Sequence, residues 1–263
     1  MPNSPYLAPC MEEIKDIAHK LLITVHLNFV EGKPITGTKA SKLISPEGHF
    51  NIGFFKLFLL SYIPIVRLAY RKQLAGEIKA QLKACEPYMN DGEYRIDGHV
   101  HYHMIPVVFD ALMDVLKAGD YKVSYIRFPK EELSIYKKAI GKVKDIKPIN
   151  IVKSLVLNYL CARNKRKYGE ELRRMGVQDK LFMGVTLSGH MFYENIMACL
   201  PFAGDVLADR NMSEMEILFH PGDVSVPEDI ERLTSKDDYE FLTSPNRQKE
   251  AEALKKLGSN LKR

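Results

Sequence analysis

Residues 95–106 read Arg-Ile-Asp-Gly-His-Val-His-Tyr-His-Met-Ile-Pro, and no other stretch constrains the chain so tightly. Side chains on an extended strand alternate between faces, so Asp97, His99, His101 and His103 are expected on one face, with Ile96, Val100 and Tyr102 on the other. Pro106 suits the first turn of a helix, and Val107, Val108, Ala111, Leu112 and Val115 give that helix an apolar face. One carboxylate and three imidazoles thus close a strand that feeds a helix, the place where α/β folds put their chemistry. Three of the eight histidines fall within five residues. The spacing predicts a metal or acid–base site over a solvated histidine tract. It leaves open which member is a ligand, which a partner of a ligand and which a substrate contact.

Strand-like and helix-like segments alternate along the rest. Strands are expected over Leu21–Asn28, Arg95–His103, Tyr121–Arg127, Leu181–Leu187 and Glu214–His220. Helices are expected over 66–85, from Pro106 to Lys117 with a stop at Gly119, over 149–167 with a break at Gly169 and a continuation to Met175, and over 191–200. A last one runs to Leu257 behind Ser244-Pro245. Such alternation predicts an α/β fold with a parallel sheet and helices outside it. Polar residues close several strands: His26 and Asn28, His99 to His103, Arg127, Ser188 and His190, and His220. A barrel gathers many strand ends at one mouth and accounts for this better than an open sheet. No G-x-G-x-x-G, G-x-x-x-x-G-K-[ST] or G-x-S-x-G occurs, so dinucleotide, P-loop and serine-hydrolase readings lack their motifs.

The net charge of +5 is mild, and one dense basic run, 163–174, is interrupted by Glu170 and Glu171. It reads as a solvated helix end, with a phosphate-binding patch as the other reading, and no nucleic-acid partner is expected. Cys10, Cys85, Cys161 and Cys199 are scattered with no C-x-x-C spacing, as in a cytoplasmic protein with reduced thiols. No secretory signal is visible in Met1–Cys10. The apolar stretch Phe50–Tyr70 is broken by Lys56, Pro64 and Arg67, so no membrane span is expected. It reads first as a buried helix, and otherwise as a lid or a subunit contact. His19 and His49 are assigned to the surface.

Two motifs taken together, His26-Leu27-Asn28-Phe29-Val30-Glu31-Gly32-Lys33-Pro34 and Asp97-Gly98-His99-Val100-His101-Tyr102-His103, resemble the YdjC-like carbohydrate deacetylases, which include the chitooligosaccharide deacetylases. Gly98 stands where that pattern has serine. Glu216-Ile217-Leu218-Phe219-His220-Pro221-Gly222 resembles the family's Glu-x-x-x-His-Pro-Gly strand end, so the resemblance runs from His26 to Gly222. It implies a single domain over 1–263, an irregular TIM-like barrel, frequent dimers, and a divalent magnesium or zinc ion that supports removal of acetyl groups from N-acetylated oligosaccharides. It further implies that His26 and His99 are metal ligands, with Arg127, His101, His103 and His220 in or around the site. The family's opening strand ends in Asp-Asp-Phe-Gly, which is not found here. The expectation is a chain truncated at its N-terminus relative to the family, its barrel incomplete or distorted beside His26, and two readings of activity: a deacetylase, or an inactive relative that binds sugar or metal without turnover.

Amide hydrolysis needs a nucleophilic water, a polarised carbonyl and a proton for the departing amine. Two neutral imidazoles and one carboxylate leave coordination positions open for the first two tasks. His220 is expected to supply the proton, and Arg127 to orient a carboxylate or stabilise the oxyanion. Asp97 either holds a ligand imidazole or replaces the missing carboxylate. His101, His103, Asn28 and His190 are expected at the substrate, His190 standing equally well as loop surface.

Overall fold

The computed structural model describes residues 1–222 and 236–260. In chain order its elements are α1 (Leu7–Glu13), β1 (Val25–Leu27), α2 (Phe54–Leu60), α3 (Pro64–Cys85), β2 (Glu93–Gly98), α4 (Pro106–Ala118) and β3 (Lys122–Ile126). There follow α5 (Leu133–Lys138), α6 (Pro148–Arg174), β4 (Leu181–Met183), α7 (Tyr193–Asp209), β5 (Met215–Ile217), α8 (Lys236–Leu242) and α9 (Asn246–Asn260). Two compact units emerge: Met1–Phe128 with Tyr159–Gln178, and Pro129–Asn158 with Asp179–Arg263. Helix α6 starts in the second unit and ends in the first.

The first unit is built on a parallel sheet in the order β1-β2-β3. Val25, Ile96, Val123 and Ile126 are buried β-branched residues, as expected of parallel strands covered on both faces. Proline at the first turn starts both α3 and α4, and Gly119 follows the last turn of α4. Helices α3 and α4 pack together, and α4 is buried continuously from Pro106 to Met113. Asp110, fully buried on α4, accepts hydrogen bonds from Arg67, Arg163, Lys167 and the Tyr168 hydroxyl. Burial alone would raise its pKa, but these donors hold the carboxyl well below the usual range. The basic run is therefore partly a structural contact and not simply a solvated helix end.

The second unit pairs β4 with β5 in parallel. Leu181, Met183, Leu187, Met191, Ile196 and Cys199 form the centre of its core.

The α/β class and the parallel pairing match the expectation. No closed barrel exists among the described residues, where β1 forms one margin of its sheet with β2 as its single strand neighbour. Three expected strands shrink to three residues each, 25–27, 181–183 and 215–217. Helix α6 does not break at Gly169, because a glycine inside a helix costs only ~1 kcal/mol and packed faces on both sides of it outweigh that. Phe50–Tyr70 is not one buried helix. Pro64 splits it into α2 and α3, and Leu57 is the one buried residue of α2. No helix among the described residues is long and apolar enough to cross a membrane.

Candidate metal centre

Parallel register sets His26 beside Asp97 and Leu27 beside Gly98 at the carboxyl ends of β1 and β2. The extended run expected through His103 does not form. β2 stops at Gly98, and His99–Met104 turn in 3-10 geometry with Val100 at φ 46° and His101 at φ 58°. Left-handed backbone at such residues costs ~1–3 kcal/mol each and tends to collect at functional sites. The turn is tied down at its far end, where the Met104 carbonyl accepts a hydrogen bond from Asn164 Nδ2 at 2.8 Å.

This turn changes which histidines meet. His99 swings toward β1, so that its Nδ1 lies 3.3 Å from His26 Nε2. His26 Nδ1 is 2.9 Å from Asp97 Oδ2, and His99 Nε2 is 3.0 Å from Glu31 Oε1. Arg127 Nη1 donates to the same Asp97 Oδ2, which makes Arg127 the cation that orients this carboxylate. Asp97 is buried, which alone would raise its pKa. The His26 hydrogen bond and the Arg127 charge overcome that and keep the carboxyl well below its usual range. Glu31 is also lowered, chiefly by its hydrogen bond to His99. The other Asp97 oxygen, Oδ1, is buried with no hydrogen-bond partner among the described residues.

His103 goes the other way, into the core. It is fully buried, and its Nε2 donates to the Arg127 carbonyl at 2.8 Å. Its Nδ1 stands 2.6 Å from where a Cβ on residue 98 would sit, so only glycine fits there without a shift. Burial pushes its pKa down to about 4, and that of His101 to about 3, so both rings are neutral at pH 7. Asp97, His101 and His103 offer ligand atoms within 4.8 Å of one another.

Two donor groups thus compete for a cation. In the Asp97–His101–His103 group, His103 Nε2 is committed to the Arg127 carbonyl, and its Nδ1 faces the residue 98 backbone. The His26–His99 pair has neither handicap. Two nitrogens held ~2.0–2.1 Å from one tetrahedral zinc stand ~3.3–3.4 Å apart, the separation found here. The donor set fits a divalent ion. A cavity of about 230 Å³ along β1, lined by Met1, Leu7, Met11, Ile23 and Met89 among others, reaches His26.

Asn28, expected at the substrate, is 1% exposed. Its Oδ1 accepts the Val30 and Glu31 N–H groups, and its Nδ2 donates to the Glu31 carbonyl and to Asn3 Oδ1. Its backbone N–H and carbonyl are both held by Gln81. No polar atom remains for a sugar, and its work is to fold the turn that carries Glu31. Full burial likewise removes His103 from direct substrate contact in this conformation.

His190 and His220 belong to the second unit. Their loops share one anchor: Glu250, 1% exposed, accepts the His220 N–H at 2.6 Å and the Met191 N–H at 3.2 Å. Burial raises the pKa of Glu250. His19 and His49 are exposed.

The chain matches the model of the YdjC-like protein family over residues 1–256. It belongs to that family. The YdjC-like chain is also similar to the carbohydrate deacetylase of Mus musculus, 26% identical over 217 residues that make up 80% of this chain and 64% of the mouse protein. The human carbohydrate deacetylase is 24% identical over 217 residues, 80% of this chain and 61% of its own length. That of Xenopus laevis is 26% identical over 253 residues, 90% and 75% respectively. The YdjC-like chain thus spans less than two-thirds of the mouse and human relatives. Glu31, the hydrogen-bond partner of His99, is absent from the residues the sequence motifs single out, although an acid five residues after a strand-end histidine, in a tight turn, is a visible signal.

Proposed function

We propose that this YdjC-like chain is a metal-dependent hydrolase that removes acetyl groups from N-acetylated oligosaccharides. The facing ring nitrogens of His26 and His99 at two parallel strand ends carry the reading. The names of the relatives support the carbohydrate substrate. His26 and His99 are the protein ligands. A divalent zinc or magnesium ion held by these two rings would supply Lewis acidity toward the amide carbonyl and toward a water. Asp97 fixes the His26 ring and is itself fixed by Arg127. His101, half-buried on the same turn, is the substrate contact. The proton-donor role for His220 and the substrate role for His190 belong to the same proposal.

A homodimer is part of it too. Phe55, Leu59, Tyr62, Ile63, Ile65 and Leu68, on α2, the start of α3 and the turn between them, are between 47% and 87% exposed. At ~200 Å² per large side chain they present roughly 770 Å² of mostly apolar surface, close to the ~800 Å² each partner buries in a stable interface. Four cysteines without a disulfide suit a cytoplasmic location.

Protein loaded in turn with zinc, magnesium, manganese and cobalt is incubated with diacetylchitobiose and longer N-acetylated oligomers, and released acetate is measured. Acetate from the wild type and none from His26→Ala supports the proposal. Metal uptake with no acetate from any of these sugars replaces it with binding without turnover.

A further inference from the structure

Four side chains form one line: Asp97 Oδ2 to His26 Nδ1 at 2.9 Å, His26 Nε2 to His99 Nδ1 at 3.3 Å, and His99 Nε2 to Glu31 Oε1 at 3.0 Å. Carboxylates at both ends only accept hydrogen bonds. In the neutral rings Asp97 therefore places the His26 proton on Nδ1, and Glu31 places the His99 proton on Nε2. The two remaining nitrogens, His26 Nε2 and His99 Nδ1, then face each other as bare lone pairs. Two acceptors cannot hydrogen-bond to one another, so this arrangement calls for a cation between them.

We propose that Glu31 is the positioning residue of His99, and that Glu31 and Asp97 together aim one bare nitrogen of each histidine at a single divalent ion. The inference rests on the metal reading proposed for this site and names the residue that completes it.

The fold builds the position of Glu31 deliberately. Asn28 Oδ1 accepts its N–H at 3.1 Å, while Asn28 Nδ2 and Asn3 Nδ2 donate to its carbonyl at 2.8 and 2.9 Å. Gly32, at φ +70°, then turns the chain away in a left-handed conformation that suits glycine. Three side-chain contacts and a glycine thus fix the backbone of a residue whose own side chain is half exposed and points at His99. A partner that holds the outer nitrogen of a ligand imidazole fixes its tautomer and orientation, and its loss typically weakens metal affinity 10–100-fold.

Zinc titration by calorimetry, with cobalt d–d absorption as a second readout, tests this on the full chain. The wild type is expected to bind one ion, and His26→Ala to lose it. Glu31→Ala should bind 10–100-fold more weakly, with an altered cobalt spectrum. Glu31→Gln, whose amide oxygen accepts the same bond, should recover most of the affinity. That rescue separates tautomer control from loss of charge, and long-range proton–nitrogen NMR should find the His99 proton on Nε2 in the wild type and in Glu31→Gln. Affinity of Glu31→Ala within twofold of the wild type, alongside loss in His26→Ala, overturns the role of Glu31 and leaves the metal reading standing. Undiminished affinity in His26→Ala, or no binding by the wild type, overturns both.

Discussion

Each unit buries a carboxylate near the end of a parallel strand, and the two are treated in opposite ways. Glu131 in the second unit, 2% exposed, accepts six hydrogen bonds: from the Tyr136, Ser154 and Thr186 hydroxyls and from the Gly184, Val185 and Thr186 N–H groups. All six donors are neutral, and both oxygens are saturated. Asp97 in the first unit is just as buried, yet one oxygen carries His26 and Arg127 while the other has no hydrogen-bond partner among the described residues. Saturation by fixed neutral donors makes a carboxylate a rivet. A half-satisfied acid among imidazoles and a guanidinium is the exception that calls for a ligand or a mechanism.

The comparison fails unless neutral substitution at Asp97 costs zinc binding as well as stability. Glu131→Gln turns an amide NH₂ toward donors that need an acceptor, and should cost ~3–5 kcal/mol of unfolding free energy, a large share of the ~5–15 kcal/mol a domain commonly holds. Asp97→Asn removes the charge that the Arg127 guanidinium pairs with and should cost a similar ~3–5 kcal/mol, while zinc affinity falls 10–100-fold. Urea unfolding and zinc titration of both variants check this. If Asp97→Asn lost that stability and bound zinc normally, Asp97 would be a rivet too.

Acid should sharpen the contrast, because the neighbourhood of Asp97 includes a fully buried histidine and the Glu131 cradle does not. His103 has a folded pKa of about 4 against an ordinary value of 6.5. Below pH 6.5 the unfolded chain takes up a proton that the folded chain refuses, so the slope of stability with pH is positive and stability falls as pH drops toward 4. At pH 5 the His103 contribution is ~2 kcal/mol, from 1.36 kcal/mol per pH unit. The loss between pH 7.5 and pH 5 should therefore shrink by ~2 kcal/mol in His103→Gln. An unchanged slope would mean that His103 is protonated in the folded protein.

Much of this was legible in residue patterns, and what was not has physical reasons. Pro106 and Gly119 marked helix ends because proline and glycine act through local backbone chemistry. The clustering of Asp97 with the histidines was legible for a similar reason, since neighbours in sequence stay neighbours across a strand end. The face each histidine takes was not. A period-two pattern presumes extended backbone, and Val100 and His101 leave it for the left-handed region, which no composition signal announces. Glu131 was invisible because its importance lies in six donors drawn from 136, 154 and 184–186, a tertiary fact. Asn28 looked like a ligand-facing polar residue and proved to be turn chemistry, as its type often is.

The smallest expected effect concerns Gly98, where this chain departs from the serine of the pattern it resembles. A Cβ there would stand 2.6 Å from His103 Nδ1 and 2.9 Å from that ring's Cβ and Cγ, closer than real contacts allow. The ring cannot simply swing away, because its Nε2 is bonded to the Arg127 carbonyl. Gly98→Ser should therefore cost ~1–2 kcal/mol, the lower range for overpacking a filled site. The cause can be isolated by a double-mutant cycle. In a His103→Ala background the space is empty, and the same serine should cost close to nothing, which gives a coupling energy of ~1–2 kcal/mol between the two positions. Equal costs in both backgrounds would place the strain in the backbone of residue 98 and not in its contact with His103. The tight fit of glycine and histidine would then be a coincidence of packing, and the contrast between a committed Glu131 and an adaptable Asp97 neighbourhood would rest on hydrogen bonding alone.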